Sequence, residues 1–282
     1  MPAGKTSGWA FPGNSTAAFE RTGANSWKKV RLPGPSSSVQ AAAAFSPSSV
    51  WAARGTQLDR WNGRGWAVAK SFRGLLSGVS VLGRNDVWAF GGEASGGGVF
   101  HFNGRSWTEV SATFQGGSAV SDRDVWAVSG QTVEHFNGRT WSATSVTGLF
   151  PPGGGLPVSP FLLGILALGP GNVYATGVGY ASVGGGSEVV LHFNGRSWSR
   201  VAAGAAVVGS RQSVASDDKG GLWIVVDTHQ NYLRLLRYSA GSLTTVTLPP
   251  GTGPVSVSRV PGTAEALLGG FKSDAGVVEQ YS

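Results

Sequence analysis

Three histidines are the first residues in this sequence to invite a chemical reading. His101, His135 and His192 each open the same phrase, "HFNGR", at 101–105, 135–139 and 192–196, and "RWNGR" at 60–64 is a near copy. Repeated imidazoles suggest a metal centre, but metal ligands must all come within about 2 Å of one ion. Equivalent positions in separate repeats are spread apart, so each histidine is expected to make a structural hydrogen bond of its own. The chain has no cysteine, which excludes disulfides, a thiol nucleophile and zinc sites built on Cys. No metal and no cofactor is expected.

Charged residues offer two further possibilities. Arg64, Arg105, Arg139 and Arg196 stand just after the glycine of each phrase, where they should form a positive rim on one face. Guanidinium groups bind carboxylate or phosphate bidentately, so these four are candidate contacts for an anionic polymer such as an acidic glycan or a wall phosphate, the plain alternative being a solvated turn. Asp86 and Asp124, in "NDVWA" and "RDVWA", are expected to cap turns through their side chains. Glycoside hydrolysis usually needs two carboxylates about 5 to 9.5 Å apart. The acids near the expected binding face are Glu93, Glu188, Asp227 and, if a strand boundary shifts, Asp217 or Asp218, and their positions show no pairing. Asp227 with His229 could act as an acid/base pair, because alternate residues of a strand share a face.

Composition narrows the partners. The net charge of +7 comes from sixteen arginines and six lysines that are dispersed, without a polybasic run, so nucleic acid is not an expected partner. No apolar run approaches the roughly 20 residues that span a bilayer. The start "MPAGKTSGWAF" lacks the charged-then-apolar layout of a signal peptide. The expected setting is secreted or cell-surface, as a mature form, with the cytoplasm as the alternative. Glycine, at 45 residues, is more than twice ordinary usage, while charged residues are 13% where about 25% is usual. Many tight turns account for both.

The elements that must hold these residues are legible in the tryptophans. Ten of eleven fall into two slots. One slot is "GWAFPG", "VWAARG", "VWAFGG" and "VWAVSG", then "VYATGVG" with Tyr174 in place of tryptophan, "LWIVVD" with Trp223, and a degenerate "AEALLGG" at 264–270. These seven occurrences lie on average about 43 residues apart, a propeller-like period. The other slot is the Asn-Gly phrase, which reads as a two-residue type I′ hairpin with positive φ at both central residues. Residues 76–110 then show one whole repeat of four strands: "LSGVSVLG", "DVWAFGG", "GVFHF" and "SWTEV". Such a sheet cannot bury both faces alone, and radial stacking solves that. The expected fold is an all-β propeller of four-stranded antiparallel blades, one domain over 1–282. Seven blades are expected, six being the alternative, with terminal blades incomplete or closed by pairing of N- and C-terminal strands. The tryptophans are expected to pack between blades.

The "DVWAVG … HFNGRSW" layout resembles bacterial, often secreted, tryptophan-rich propeller repeats related to kelch and Asp-box proteins. With the Asp-box pattern S-x-D-x-G-x-T-W, "NGRSW" shares the glycine and the tryptophan three residues later. The resemblance implies a lectin or scaffold, and more rarely a lyase or hydrolase.

Repetition marks scaffold, so irregularity should mark the site. In a four-stranded blade the 2–3 loops and the links between blades share one end, and there the repeats depart from one another: "EASGGG" at 93–98, "TGLFPPGGGLPVSP" at 147–160, "GVGYASVGGGS" at 177–187 and "DTHQN" at 227–231. Phe150, Phe161, Tyr180, Asp227, His229, Asn231 and Tyr232 combine aromatic platforms with a few orienting polar groups, the composition of a sugar or peptide pocket. The expected function is non-catalytic binding or scaffolding by a monomer, the ligand being a glycan, a cell-envelope polymer or a protein. The alternative is a carbohydrate-active hydrolase or lyase with its site at the channel mouth.

Overall fold

β-Branched and aromatic residues on alternate positions, cut by glycine turns every few residues, leave the chain little choice but short antiparallel strands. A computed structural model describes residues 8–13, 15–23, 26–92, 97–111, 114, 116–151, 159–179, 186–207, 212–228, 232–260, 263–272 and 275–282. They form seven sheets, the all-β fold of a seven-bladed β-propeller.

The first sheet holds β1 (Gly8–Ala10), β2 (Ala17–Arg21) and β3 (Trp27–Arg31). The second holds β4 (Val39–Ser46), β5 (Ser49–Arg54), β6 (Gln57–Trp61) and β7 (Trp66–Ser71). The third holds β8 (Leu76–Gly83), β9 (Asp86–Gly91), β10 (Val99–Phe102) and β11 (Trp107–Ser111). The fourth comprises β12 (Gly116–Ser121), β13 (Asp124–Ser129), β14 (Thr132–Phe136) and β15 (Trp141–Ser145). The fifth comprises β16 (Phe161–Gly169), β17 (Asn172–Val178), β18 (Gly186–Phe193) and β19 (Trp198–Val207). The sixth comprises β20 (Gln212–Ser216), β21 (Leu222–Thr228), β22 (Tyr232–Ser239) and β23 (Ser242–Thr245). The seventh comprises β24 (Thr252–Arg259), β25 (Ala266–Lys272) and β26 (Ala275–Tyr281). All pair in chain order. Among the described residues each terminal sheet thus has three strands: the first starts with the tryptophan-bearing second strand of the repeat, and the seventh has its first three. The one helical feature among the described residues is a 3-10 turn at Thr147–Leu149, and no helix there is long and apolar enough to cross a membrane.

Contacts divide the chain into two compact units, 1–122 and 123–282. Within each, the core lies between consecutive sheets. In the first unit, Trp9 packs on Trp61 and Trp66 of the next sheet at ring-centroid distances of 4.8 and 5.0 Å, and Trp51 packs on Phe102 and Trp107 at 6.1 and 6.3 Å. In the second, Trp126 meets Phe193 and Trp198 at 5.1 and 5.9 Å, and Tyr174 meets Tyr238 at 6.1 Å. The same rule governs all four: the second-strand ring of one sheet packs on the last aromatic of the third strand of the next and, where one is present, on its fourth-strand tryptophan. The tryptophans therefore do pack between sheets, and losing one such ring costs about 3–5 kcal/mol.

The Asn-Gly turns differ from the expected type. Gly63, Gly104, Gly138 and Gly195 have φ of 94°, 91°, 94° and 88°, but none of the preceding asparagines has positive φ. The strands stop before Asn and resume at Trp, so the loop has four residues. Each asparagine side chain spans it: Asn103 Oδ1 accepts from Arg105 N and Ser106 N, both at 3.0 Å, and Asn62, Asn137 and Asn194 repeat the bond pair. An Asx turn takes the place of the type I′ turn because the asparagine carbonyl satisfies two amides that a two-residue loop would not expose.

The segment from the first sheet to the second is bolted by one buried arginine. Arg54, 3% exposed, donates to Asp59 Oδ2 at 2.9 Å, to Pro35 O at 2.6 Å and to Pro33 O. Burial pushes the Asp59 carboxyl up, and Arg54 opposes that rise. Two substitutions separate carboxylate from carbonyls. Arg54→Met strands Asp59 and should cost roughly 3–5 kcal/mol in urea unfolding. Adding Asp59→Leu should restore part of that loss, and a double variant no more stable than Arg54→Met would assign the whole effect to the proline carbonyls.

Candidate functional site

Strand register decides what the repeated histidines do. It sets Trp88 opposite His101, Trp126 opposite His135 and Tyr174 opposite His192. Each imidazole lies flat on its partner, at 4.3 Å and 15°, 4.0 Å and 17°, and 4.4 Å and 28°. Each Nε2 donates within its own sheet, to Asp86 Oδ1 at 2.8 Å, Asp124 Oδ1 at 2.8 Å and Asn172 Oδ1 at 3.0 Å. Trp126 Nε1 also donates to Asp124 Oδ1, at 2.7 Å. Asp86 and Asp124 thus serve a neighbouring imidazole across the sheet, where the sequence suggested turn capping. His192 has an amide partner in place of a carboxylate, and burial lowers its pKa. In two other sheets arginine takes the stacking position: Arg60 lies 5.0 Å over Trp51 and Arg237 lies 4.6 Å over Trp223.

Two of the acids considered for catalysis, Asp217 and Asp218, are equally engaged. Asp217, 2% exposed, accepts from Lys219 N at 2.8 Å, from Gly221 N at 2.6 Å and from the Arg237 guanidinium. Burial pushes its carboxyl up, but Arg237 and the two backbone amides outweigh that and hold it below the usual carboxylate range. Asp218, at φ 54°, accepts from Arg259 Nη1 at 2.8 Å. Both sit in the turn from β20 to β21, the end opposite the long connections, so neither belongs to the face where a shifted boundary would have put it. Glu188 is fully buried at the start of β18. Glu93 lies outside the described residues. The first strands of the second to seventh sheets carry no acid at all, and their one cation is Arg259. Among the described residues, no three His, Asp or Glu side chains are grouped so as to hold a metal ion.

At the end where the long connections leave the sheets, the expected residues fare unequally. Phe150 is 5% exposed and packs in the core between the fourth and fifth sheets with Val146 and Leu162. Phe161 opens β16, half-buried against the core shared with the sixth sheet. Asp227 and Tyr232 lie on the adjoining strands β21 and β22, where Asp227 pairs with Leu233 and Thr228 with Tyr232. Tyr180, His229 and Asn231 lie outside the described residues. Two of the long connections meet at their described ends: a Cβ on Gly179 would stand 3.3 Å from Pro151 Cδ. Arg64, Arg105, Arg139 and Arg196 all sit exposed on the Asn-Gly loops at the opposite end. There Arg123, from the β12–β13 turn, passes beside Gly138, and Arg123, Asn137, Gly138 and Arg139 line a cavity of about 330 Å³. Sequence reading missed Arg123, although its place one residue before Asp124 in a turn was the available signal.

No protein-family model and no curated protein matches the chain. Solved structures do match, over nearly its whole length. The structure described as YCF48 bound to D1 peptide is 14% identical, with 98% of this chain and 88% of that one covered and a TM-score of 0.64. The Cps50 (Swd1) β-propeller domain of Myceliophteria thermophila is 11% identical, with coverage of 99% and 94% and a TM-score of 0.69. An inactive virginiamycin B lyase from Staphylococcus aureus, with quinupristin, is 9% identical, with coverage of 99% and 96% and a TM-score of 0.68. At such identities the similarity shows the fold alone, that of a propeller, which both binding proteins and enzymes use.

Proposed function

We propose that this chain is a non-catalytic binding or scaffolding propeller, one domain over 1–282, that takes a protein or glycan ligand at the end where its long connections gather. One observation carries the reading. The chemistry of the repeats is turned inward, each described imidazole and the acids Asp59, Asp86, Asp124, Asp217 and Asp218 being bonded to partners within the fold. The variable connections are what remains to distinguish this surface from that of any other propeller.

Supporting the repeat class, Ser216, Asp218, Gly220 and Trp223 fit S-x-D-x-G-x-T-W, with Leu222 in the threonine place. Supporting a macromolecular ligand, one similar propeller is described as bound to a peptide, and another belongs to a mitotic checkpoint complex. We place the protein in a bacterial envelope or secreted setting, as a monomer.

Panels of envelope glycans and of peptides, offered to the purified protein, test this. A ligand should be retained by the wild type and bound at least tenfold more weakly after Tyr180→Ala, His229→Ala or Tyr232→Ala. Turnover of any glycan would overturn the non-catalytic reading, and binding indifferent to all three changes would move the site. The role of Asp217 has a separate readout. Its depressed pKa contributes stability that is present above about pH 4 and lost as pH falls through the folded value. Asp217→Asn should therefore lower the melting temperature at pH 7, flatten its fall in acid and leave ligand affinity unchanged.

A further inference from the structure

A groove of about 590 Å³ runs along the outer side of the second unit, between β15 and the third-to-fourth-strand loop of the fifth sheet. Phe193 and Trp198 form its apolar side. Across from them stand the hydroxyls of Ser142 and Thr144, alternate and exposed residues on one face of β15. His135, a third exposed and held by Asp124, lies between them, and Arg196 closes the turn end. Among the described residues, no carboxylate lines the groove.

One position in the lining differs from its counterpart in the second sheet. Val146 N donates to Gln131 O at 3.0 Å, the bond that Phe72 N makes to Thr56 O at 2.8 Å after the fourth strand of the second sheet. Phe72 packs edge-on against Trp107 at 5.4 Å and against Phe100 at 4.6 Å, filling the space beside the next sheet's fourth-strand tryptophan. At the same position the fourth sheet has the smaller Val146, which lines the groove together with Leu149 and Trp198.

We propose that this groove binds an acidic oligosaccharide. The observation behind it is the meeting of Trp198 and Phe193 with the Ser142 and Thr144 hydroxyls and with Arg196 in a groove whose described lining holds no acid. A pyranose would lay its C–H face on the aromatic side, donate a hydroxyl to Ser142 Oγ, whose own proton goes to His135 O at 3.3 Å, share a hydroxyl hydrogen bond with Thr144, and set its carboxylate on the Arg196 guanidinium. The volume is that of an ordinary small-ligand site. A peptide adding a strand would lie beyond the β15 edge, in the plane of the sheet, whereas the polar groups here project from its face. The inference shares with the proposed function only that the protein binds ligands. It concerns a different surface and stands or falls separately.

Titration with trigalacturonate, followed by tryptophan fluorescence and calorimetry, tests it. The wild type should bind saturably and more weakly as salt rises. Ser142→Phe, which puts a ring into the groove from the face of β15, and Arg196→Gln should each weaken binding at least tenfold while far-UV circular dichroism stays that of the wild type. Thr144→Phe serves if Ser142→Phe misfolds. Tyr180→Ala should bind trigalacturonate as the wild type does, which separates this site from the loop end. Absence of saturable binding, affinity unchanged by filling the groove, or displacement by tripolyphosphate or hexaglutamate at equal or lower concentration would overturn the assignment.

Discussion

An indole on the second strand of a sheet has two faces and an edge to bury, and no single sheet of this length can cover all three. Here one face is covered by the residue directly across the ladder, an imidazole at Trp88 and Trp126 and a guanidinium at Trp51 and Trp223. The remaining surface goes to aromatics of the following sheet where those contacts are described, as for Trp126 against Phe193 and Trp198. The first contact fixes the ring within its own sheet, and the second makes that sheet incomplete without its neighbour. Histidine, aspartate and arginine are recruited as parts of this joint, which is why a chain with recurrent titratable residues has so few left over for chemistry.

The polar groups added to the joint keep it specific. Asp124 receives both His135 and the Trp126 indole, so stacking geometry and hydrogen bonding agree on one arrangement. Arg54 does the same for the passage from the first sheet to the second, where it ties two proline carbonyls to Asp59. The fifth sheet carries the variant form, with Tyr174, His192 and Asn172, and its imidazole loses the carboxylate that the third and fourth sheets supply.

Sequence carried the periodic part of this architecture and little of the rest. The strand-two motif located all seven sheets, and the repeat traced over 76–110 coincides with β8 to β11 almost residue for residue. The turn type was misjudged because Asn-Gly occupies the first half of a four-residue loop, and only backbone dihedrals reveal that the asparagine itself keeps negative φ. The partners of Asp86 and Asp217 were hidden for another reason. They lie fifteen and twenty residues away, at His101 and Arg237, on strands that local pattern does not place beside them. Loop-end residues were chosen by irregularity alone, and for Phe150 that criterion selected a ring that the fold buries.

The Asn-Gly loops divide labour within four residues. Asparagine ties the amides and glycine supplies the left-handed dihedral, so closure makes no demand on the side chain in third place, which is arginine at 64, 105, 139 and 196. A lineage could exchange that residue for any other and alter the electric field above that end of its sheet while the asparagine and glycine still close the loop. Surface potential and architecture are thus inherited independently, and a protein built this way can change the company it keeps one loop at a time.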